Sequence, residues 1–221
     1  MSPISTQKSK SITISAIIPA YSEEKTIGNI VKQTFSHVDE VIVIDDGSLD
    51  DTYQVAIDAG AKVIRHPVNQ GVLSAIKTGF SNAIGDIIVT LDADGQHDPS
   101  KIPLIVKPIL DDLADVVIGV RPSFPYFSEK VLTFLTNQIV DIDDACSGFR
   151  AIKREIADRM ELHGFCLCGT FILEAYRRKA RIKGVQITVR DRENGERRIK
   201  SEHFKQFFIV IWDLLRFMIN K

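Results

Sequence analysis

Short apolar runs alternate with stretches of helical periodicity through the first 120 residues. The apolar runs predict strands at residues 12–19, 41–44, 62–65, 87–91 and 115–119. Between them, apolar residues spaced three and four apart predict helices at about 27–35, 52–59, 74–83 and 102–113. Strands and helices that alternate with short connections imply an α/β fold, with a mostly parallel sheet covered by helices on both faces.

The pattern changes after residue 119. Helices are predicted at 127–140, 153–161 and 170–180, and a strand at 185–189. The loop 141–150 between the first two helices is rich in polar side chains. From residue 177 to 205 there are eleven Lys or Arg and four Asp or Glu, a local charge of +7. Such a run is usually a solvated face, but it is also typical of segments that bind phosphate or an anionic membrane.

The tail is apolar at twelve of the sixteen positions from 204 to 219. It is shorter than the roughly 20 residues that a membrane span needs, and Asp213 and Arg216 interrupt it. Two interpretations remain open: a helix at the membrane interface, with Trp212 and Lys205 at the headgroups, or a helix packed on the core or on a second copy. We predict a main domain at 1–202 and a C-terminal amphipathic helix at 203–221, for which contact with a membrane interface is the favoured of the two interpretations.

Composition narrows the function classes. The chain has 221 residues and a formal net charge of −1, which argues against a general nucleic-acid binder. Three cysteines form no disulfide framework, and the polar N-terminus lacks the apolar core of a signal peptide. The expected location is therefore the cytoplasm.

Two predicted strands end in paired carboxylates. Asp45 and Asp46 follow the second strand, and Asp92 and Asp94 follow the fourth. Ligands of open α/β sheets bind outside the carboxyl ends of the strands. Asp92 and Asp94, which are separated by one residue, suit Mg²⁺ or Mn²⁺ at this position, with substrate phosphates completing the coordination. The structural alternative is that these aspartates only cap turns.

Two common nucleotide-binding signatures are missing. The turn after the first strand reads Pro19-Ala-Tyr where a dehydrogenase has its glycine-rich fingerprint, and the sequence contains no P-loop. A nucleotidyltransferase is disfavoured because no glycine-rich, lysine-bearing loop follows that strand.

Five segments in order carry a resemblance to a known family. They are Ile17-Ile-Pro-Ala-Tyr-Ser-Glu-Glu24, Val43-Ile-Asp-Asp-Gly-Ser48, Asn69-Gln-Gly71, Leu91-Asp-Ala-Asp-Gly-Gln-His97 and Ser147-Gly-Phe-Arg150. The chain resembles the family 2 glycosyltransferases of GT-A (Rossmann-like) fold, and within them the dolichyl-phosphate mannose and glucose synthase branch.

The resemblance implies a role for each matching residue. A nucleotide would be bound by Pro19, Tyr21, Glu23, Asp45, Asp46 and Asp92. A metal would be held by Asp92, Asp94 and Gln96. Asp144 and Asp94 would be catalytic, with Asp144 facing the acceptor. The donor or acceptor phosphates would be bound by Arg121, Ser147, Arg150 and Arg198.

The implied reaction moves a hexose from GDP-mannose or UDP-glucose to a polyprenyl or dolichyl phosphate, with inversion and with Mg²⁺ or Mn²⁺. A phosphate acceptor is already anionic, so Asp144 would position it, whereas a hydroxyl acceptor would need Asp144 as a base. The main domain would then be a GT-A nucleotide-sugar transferase domain at the cytoplasmic face of a membrane. Whether it forms a homo-oligomer stays open.

Two other functions stay open: transfer to a soluble or glycan hydroxyl, and a non-catalytic nucleotide-binding module. The sequence departs from the family at Val72-Leu73, Gly184-Val-Gln186 and Gly195-Glu-Arg-Arg198. These departures leave the sugar and the acceptor open.

Overall fold

The protein is described by a computed structural model that covers residues 11–190 and 202–219, with side chains of the last helix described from 204 to 216. Its centre is one seven-stranded sheet with the strand order β3-β2-β1-β4-β6-β5-β7. The strands are β1 Ile14–Ala20, β2 Glu40–Asp45, β3 Lys62–Arg65, β4 Ile87–Thr90, β5 Val116–Val120, β6 Arg150–Lys153 and β7 Ile182–Gln186.

Six of the seven strands are parallel, and β6 runs antiparallel to both of its neighbours. The prediction of a mostly parallel α/β sheet is confirmed. The helices are α1 Ile27–Phe35, α2 Thr52–Asp58, α3 Val72–Asn82, α4 Ile102–Leu110, α5 Phe127–Thr136, α6 Arg154–Ala157, α7 Thr170–Arg177 and α8 Glu202–Ile219.

Helices cover both faces of the sheet, as predicted. Consecutive strand residues point to opposite faces, so Ile18 packs in one core with α1, α2 and α4, while Ile17 packs in the other with α3, α6 and α7. A third, smaller cluster joins α5, α7 and α8 around Leu132, Leu173 and Val210. The layers leave the carboxyl ends of β1, β2 and β4 together at one edge of the sheet.

The predicted elements after residue 140 need correction. The helix predicted at 153–161 is confined to Arg154–Ala157, and the segment before it forms β6. That strand pairs Ala151 with Val89 of β4 and with Val117 of β5. This strand has four residues, and its first and last are Arg150 and Lys153. The apolar run between them is too short to stand out in the sequence. The last strand begins three residues before its predicted start, because Ile182 pairs with Val116.

The tail forms the predicted helix, α8, which packs against α5 and α7. Gln206, Val210 and Asp213 are buried on its inner side. Phe204, Phe208 and Trp212 are 71%, 57% and 58% exposed on another side. Within the described ranges, no helix combines the length and apolar character needed to cross a bilayer.

Candidate active site

A crevice of about 560 Å³ opens at the carboxyl ends of β1, β2 and β4. Eight of the predicted site residues line it: Pro19, Tyr21, Glu23, Asp46, Asp92, Asp94, Arg121 and Arg150. Four others do not line it: Asp45, Gln96, Asp144 and Ser147. Arg198 lies outside the described residues.

Asp92 and Asp94 enter the crevice from the loop after β4. The Asp92 side chain is 42% exposed. Asp94 is more buried, and its Oδ1 accepts the backbone N–H of Gln96 at 3.1 Å. A Cβ on Gly148 would lie 2.6 Å from both carboxylate oxygens of Asp92. Glycine at 148 therefore leaves the space that the Asp92 carboxylate occupies.

His97 holds the loop that carries Asp92 and Asp94. Its Nδ1 accepts the backbone N–H of Asp92 at 3.2 Å and lies 3.5 Å from Oδ2 of the same residue. The ring stacks on Phe149 with 5.3 Å between the ring centroids. The imidazole therefore orients the acidic loop from a buried position.

The donor chemistry of the acidic loop fits a hard divalent cation. Among the described residues, no group of three or more His, Cys, Asp or Glu side chains is placed to hold a metal ion. Asp92 and Asp94 would thus supply two carboxylates. Mg²⁺ is commonly bound by one or two carboxylates, with substrate phosphates and water completing its octahedron. The two aspartates match that pattern.

Asp45 and Asp46 have different surroundings at the end of β2. Asp45 is fully buried, its Oδ1 accepts the N–H of Ser48 at 3.0 Å, and Nε of Arg65 lies 3.1 Å from its Oδ2. Asp46 lines the crevice and is held by His66 and by the backbone of Gln70 and Gly71. Only Asp46 of this pair is positioned to contact a ligand.

Arg121, Glu129 and Asp144 form a buried cluster at the other end of the crevice. Nε of Arg121 donates to Oδ2 of Asp144 at 2.6 Å, and its Nη2 donates to Glu129 at 2.9 Å. Burial alone would lower the pKa of Arg121, but hydrogen bonding and the charges of Asp144 and Glu129 outweigh it and raise the pKa. The arginine is thus a permanent cation shared by two carboxylates.

Asp144 also organises the loop that leads to β6. Its Oδ1 accepts the backbone N–H groups of Cys146 at 2.9 Å and Ser147 at 3.1 Å. Oγ of Ser147 in turn accepts the N–H of Phe149 at 3.3 Å. Asp144 and Ser147 therefore hold the backbone of this loop in shape, and neither side chain lines the crevice.

Arg150 stands apart from that cluster. It is 3% exposed and lines the crevice, and its side chain makes no hydrogen bond or ion pair with any residue that the structure describes. Its guanidinium carbon lies 4.5 Å from the centroid of the Phe171 ring. Burial lowers the pKa of Arg150, against the opposing effect of nearby groups that include Asp92. Arginine stays protonated in proteins, so a buried positive charge faces the crevice.

The crevice residues to which sequence reasoning assigned no role include Tyr126, Glu129, Cys146, Cys166 and Cys168. Glu129 lies on the inner side of α5, and the helical spacing that predicted α5 gives no sign of a buried acid there. Burial raises the pKa of Cys146, and a side-chain hydrogen bond with Cys168 together with burial raises the pKa of Cys166. Cys146 and Cys166 therefore contribute neutral thiols to the crevice wall.

Solved structures share this architecture. Glucosyl-3-phosphoglycerate synthase from Mycobacterium tuberculosis, in complex with Mn²⁺, UDP-glucose and phosphoglyceric acid, matches with a TM-score of 0.77 and 26% identity, over 93% of this chain and 79% of that one. Another structure of the same enzyme holds Mg²⁺ and UDP. The fold is thus that of the GT-A glycosyltransferases, as predicted.

Residues 15–181 match the family described as Glycosyl transferase family 2, and the chain belongs to that family. It is 28% identical to the dolichol-phosphate mannosyltransferase of Pyrococcus furiosus over 92% of this chain, and spans 64% of that protein. It is 32% identical to the UDP-N-acetylglucosamine–dolichyl-phosphate N-acetylglucosaminyltransferase of Methanococcus voltae, over 77% of this chain and 83% of that protein. The predicted resemblance to the dolichyl-phosphate branch and the prediction of a glycosyltransferase are confirmed.

Proposed function

We propose that this glycosyltransferase moves a hexose from GDP-mannose or UDP-glucose to a polyprenyl or dolichyl phosphate, with inversion at the sugar and with Mg²⁺ or Mn²⁺ as cofactor. One observation carries the proposal. The crevice that holds Asp92 and Asp94 also presents the buried guanidinium of Arg150, which lacks an anionic partner among the described residues. A buried charge of this kind is costly unless an anion pairs with it, and a phosphate acceptor supplies that anion.

The donor would lie along the strand ends. Pro19, Tyr21, Glu23 and Asp46 line the part of the crevice proposed for the nucleoside. Asp92 and Asp94 would hold the metal beside the diphosphate, with Gln96 and Arg198 remaining predictions. The bound cation would supply stabilisation of the negative charge that builds on the departing nucleoside diphosphate.

The acceptor would approach the sugar from the face opposite the leaving group, which gives inversion. A phosphate monoester is already anionic near neutral pH, so the reaction would need no strong base. Arg150 would fix the acceptor phosphate, and Asp144 would act through Arg121 and the loop backbone that it holds. This assigns Asp144 a positioning role.

Transfer to a hydroxyl is the second candidate, because the related mycobacterial enzyme is solved with phosphoglyceric acid. That reaction requires a carboxylate placed to remove a proton. Asp144 is 1% exposed and already accepts hydrogen bonds from Arg121, Cys146 and Ser147. Asp144 therefore has little acceptor capacity left for the proton of a hydroxyl, which favours the phosphate acceptor.

The test of the reaction is product analysis. The full chain is incubated with each nucleotide sugar, Mg²⁺ or Mn²⁺, and a short-chain polyprenyl phosphate, and the lipid fraction is analysed by mass spectrometry. We expect a singly glycosylated polyprenyl phosphate whose yield falls when the metal is chelated. Glycosylation of phosphoglyceric acid without any charged glycolipid would instead support the hydroxyl acceptor.

We also propose that the protein contacts the cytoplasmic face of a membrane through α5 and α8. These two helices pack together, and each has large exposed apolar side chains: Phe127 and Phe134 on α5, and Phe204, Phe208 and Trp212 on α8. The Arg216 guanidinium lies 5.5 Å from the Trp212 ring centroid. Aromatic and cationic side chains together are typical of interfacial helices.

Liposome flotation tests the membrane contact. The substitutions Phe208→Ser and Trp212→Ser should together reduce recovery with anionic vesicles, because both remove exposed apolar surface. Ile84→Ser and Leu113→Ser form the matched control, since both are exposed and precede strands β4 and β5 at the opposite edge of the sheet. Equal recovery of both double variants and the unsubstituted chain would contradict the proposal.

A further inference from the structure

The surroundings of Asp46 bear on which nucleotide the crevice accepts. Asp46 is 4% exposed and lines the crevice. Its Oδ1 takes part in two hydrogen bonds, with Nδ1 of His66 at 2.6 Å and from the N–H of Gln70 at 3.0 Å. Its Oδ2 accepts one, from the N–H of Gly71 at 2.7 Å. An ionised carboxylate oxygen has about two acceptor positions, so only Oδ2 retains one.

The hydrogen bond from His66 occupies the second acceptor position of Oδ1 of Asp46. An ionised carboxylate only accepts hydrogen bonds, so Nδ1 of His66 carries the hydrogen in this contact. Nε2 of the same ring lies 2.9 Å from Oγ1 of Thr78 on α3, which holds the ring from its other side. With the two backbone N–H groups, the imidazole fixes the carboxylate by three contacts.

The position of Asp46 suits a nucleobase. It follows β2, and Asp92 follows β4, with β1 lying between these two strands. Neighbouring strands are about 4.8 Å apart, so the two strand ends are separated by about 10 Å. A nucleotide with its diphosphate at Asp92 and Asp94 would therefore place its base in the region of Asp46.

We propose that His66, by occupying Oδ1 of Asp46, is a specificity-determining residue that restricts the donor to a uridine diphosphate sugar. The inference rests on the proposed function, since it concerns the base of the same donor. Uracil offers one N–H, at N3, between two carbonyl groups. Guanine offers N1–H and the N2 amino group side by side, and a carboxylate satisfies both only when each of its oxygens has an acceptor position available.

A guanine base at this position would leave one donor unpaired against a buried carboxylate. An unsatisfied buried donor lowers affinity substantially, and sites that hydrogen-bond their ligand discriminate strongly on this basis. We therefore expect UDP to bind at least about tenfold more tightly than GDP.

Isothermal titration of the full chain with UDP and with GDP, each in the presence of Mn²⁺, measures the ratio of dissociation constants. His66→Leu should bring the ratio towards one, because Oδ1 regains an acceptor position. His66→Gln keeps an N–H donor at a similar place and should retain more of the preference for UDP. His37→Leu, in the turn between α1 and β2, is the matched control and should leave the ratio unchanged.

The outcomes separate the two proposals. Tighter binding of GDP than of UDP would overturn the uridine assignment and leave the glycosyltransferase proposal intact. An unchanged ratio in folded His66→Leu would overturn the role of His66. Binding of neither nucleotide would contradict the proposed function itself. If His66→Leu fails to fold, the ratio for the unsubstituted chain still decides the assignment of the base.

Discussion

Asp92 and Glu129 line the same crevice but have opposite surroundings. Asp92 is partly exposed, and the imidazole of His97 lies 3.5 Å from its carboxylate, the one basic side chain this close to it among the described residues. Glu129 is buried and forms an ion pair with Arg121, which also forms an ion pair with Asp144. One acidic group is thus available for a cation from solution, whereas the other is already neutralised within the protein. Residue type alone does not identify a functional carboxylate, because its partners decide what it can still bind.

The largest effect should come from breaking the neutralised cluster. Arg121→Gln leaves the buried carboxylates of Glu129 and Asp144 without their cation, and we expect a loss of about 3–5 kcal/mol in the free energy of unfolding. Urea titration measures it. The control is Arg181→Gln, which removes a comparable contact to Asp112 and Asp115 at an exposed site. If Arg121→Gln and Arg181→Gln lower the free energy of unfolding equally, the distinction between the buried and the exposed cluster is wrong.

The available carboxylates should affect turnover and leave stability intact. We expect Asp94→Asn to lower metal-dependent turnover about 100- to 1000-fold, because the leaving diphosphate loses charge stabilisation. The unfolding free energy should change little. Asp98→Asn is the matched control, since Asp98 caps the short helix Pro99–Lys101 and does not line the crevice. A fully active Asp94→Asn variant would exclude this residue from the metal site.

Arg150 lies between these extremes, as a buried charge facing the crevice. Hydrogen bonds to charged groups contribute about 1.5–3 kcal/mol, so Arg150→Gln should raise the KM for polyprenyl phosphate by about 10- to 100-fold. The KM for the nucleotide sugar should change far less. Arg177→Gln, on the exposed side of α7, is the control. An increase confined to the donor KM would move Arg150 to the donor phosphates.

The smallest effect concerns the exposed cluster around Asp115 and depends on pH. A hydrogen bond from Arg181 holds the pKa of Asp115 below its usual range, despite partial burial, and Lys153 adds to this effect. A carboxyl with a depressed folded-state pKa contributes stability above its unfolded value of about 3.9 and loses it as the pH falls towards the folded pKa. Asp115→Asn should therefore lower Tm slightly at pH 7.

Below about pH 3.9 the difference in Tm between Asp115→Asn and the unsubstituted chain should shrink. Thermal unfolding followed by circular dichroism between pH 7 and pH 3 measures it. Asp111→Asn, in an exposed pair with Lys107 at the C-terminal end of α4, provides a reference for an ordinary surface contact. A difference in Tm that grows on acidification would contradict the sign of the pKa change.

The parts of the fold that could be predicted are those with local signals. The runs at β1, β2 and β4 are largely apolar because these strands are buried on both faces. The acids at the ends of β2 and β4 stand out for that reason. The strand β6 could not be predicted in the same way, since it has four residues and its pairing with β4 joins positions 60 to 66 apart in the chain.

The site was partly predictable for the same reason. Asp92 and Asp94 follow a recognisable strand, and the structure places both in the crevice. The contact between Arg121 and Asp144 joins loop residues 23 apart, on either side of α5 in the chain. No pattern in the sequence distinguishes that paired aspartate from an available one. The roles assigned to these residues remain predictions.

The C-terminal helix is structurally part of the enzyme. Oε1 of Gln206 accepts the backbone N–H of Phe165 at 2.9 Å, and its Nε2 donates to the carbonyl oxygen of Cys168 at 3.2 Å. Cys166, Leu167 and Cys168, in the loop so held, form part of the crevice wall. A chain that ends before Gln206 would leave those peptide groups without their hydrogen-bond partner and would loosen this part of the crevice wall. Loss of activity in such a fragment would therefore not show that the helix binds lipid.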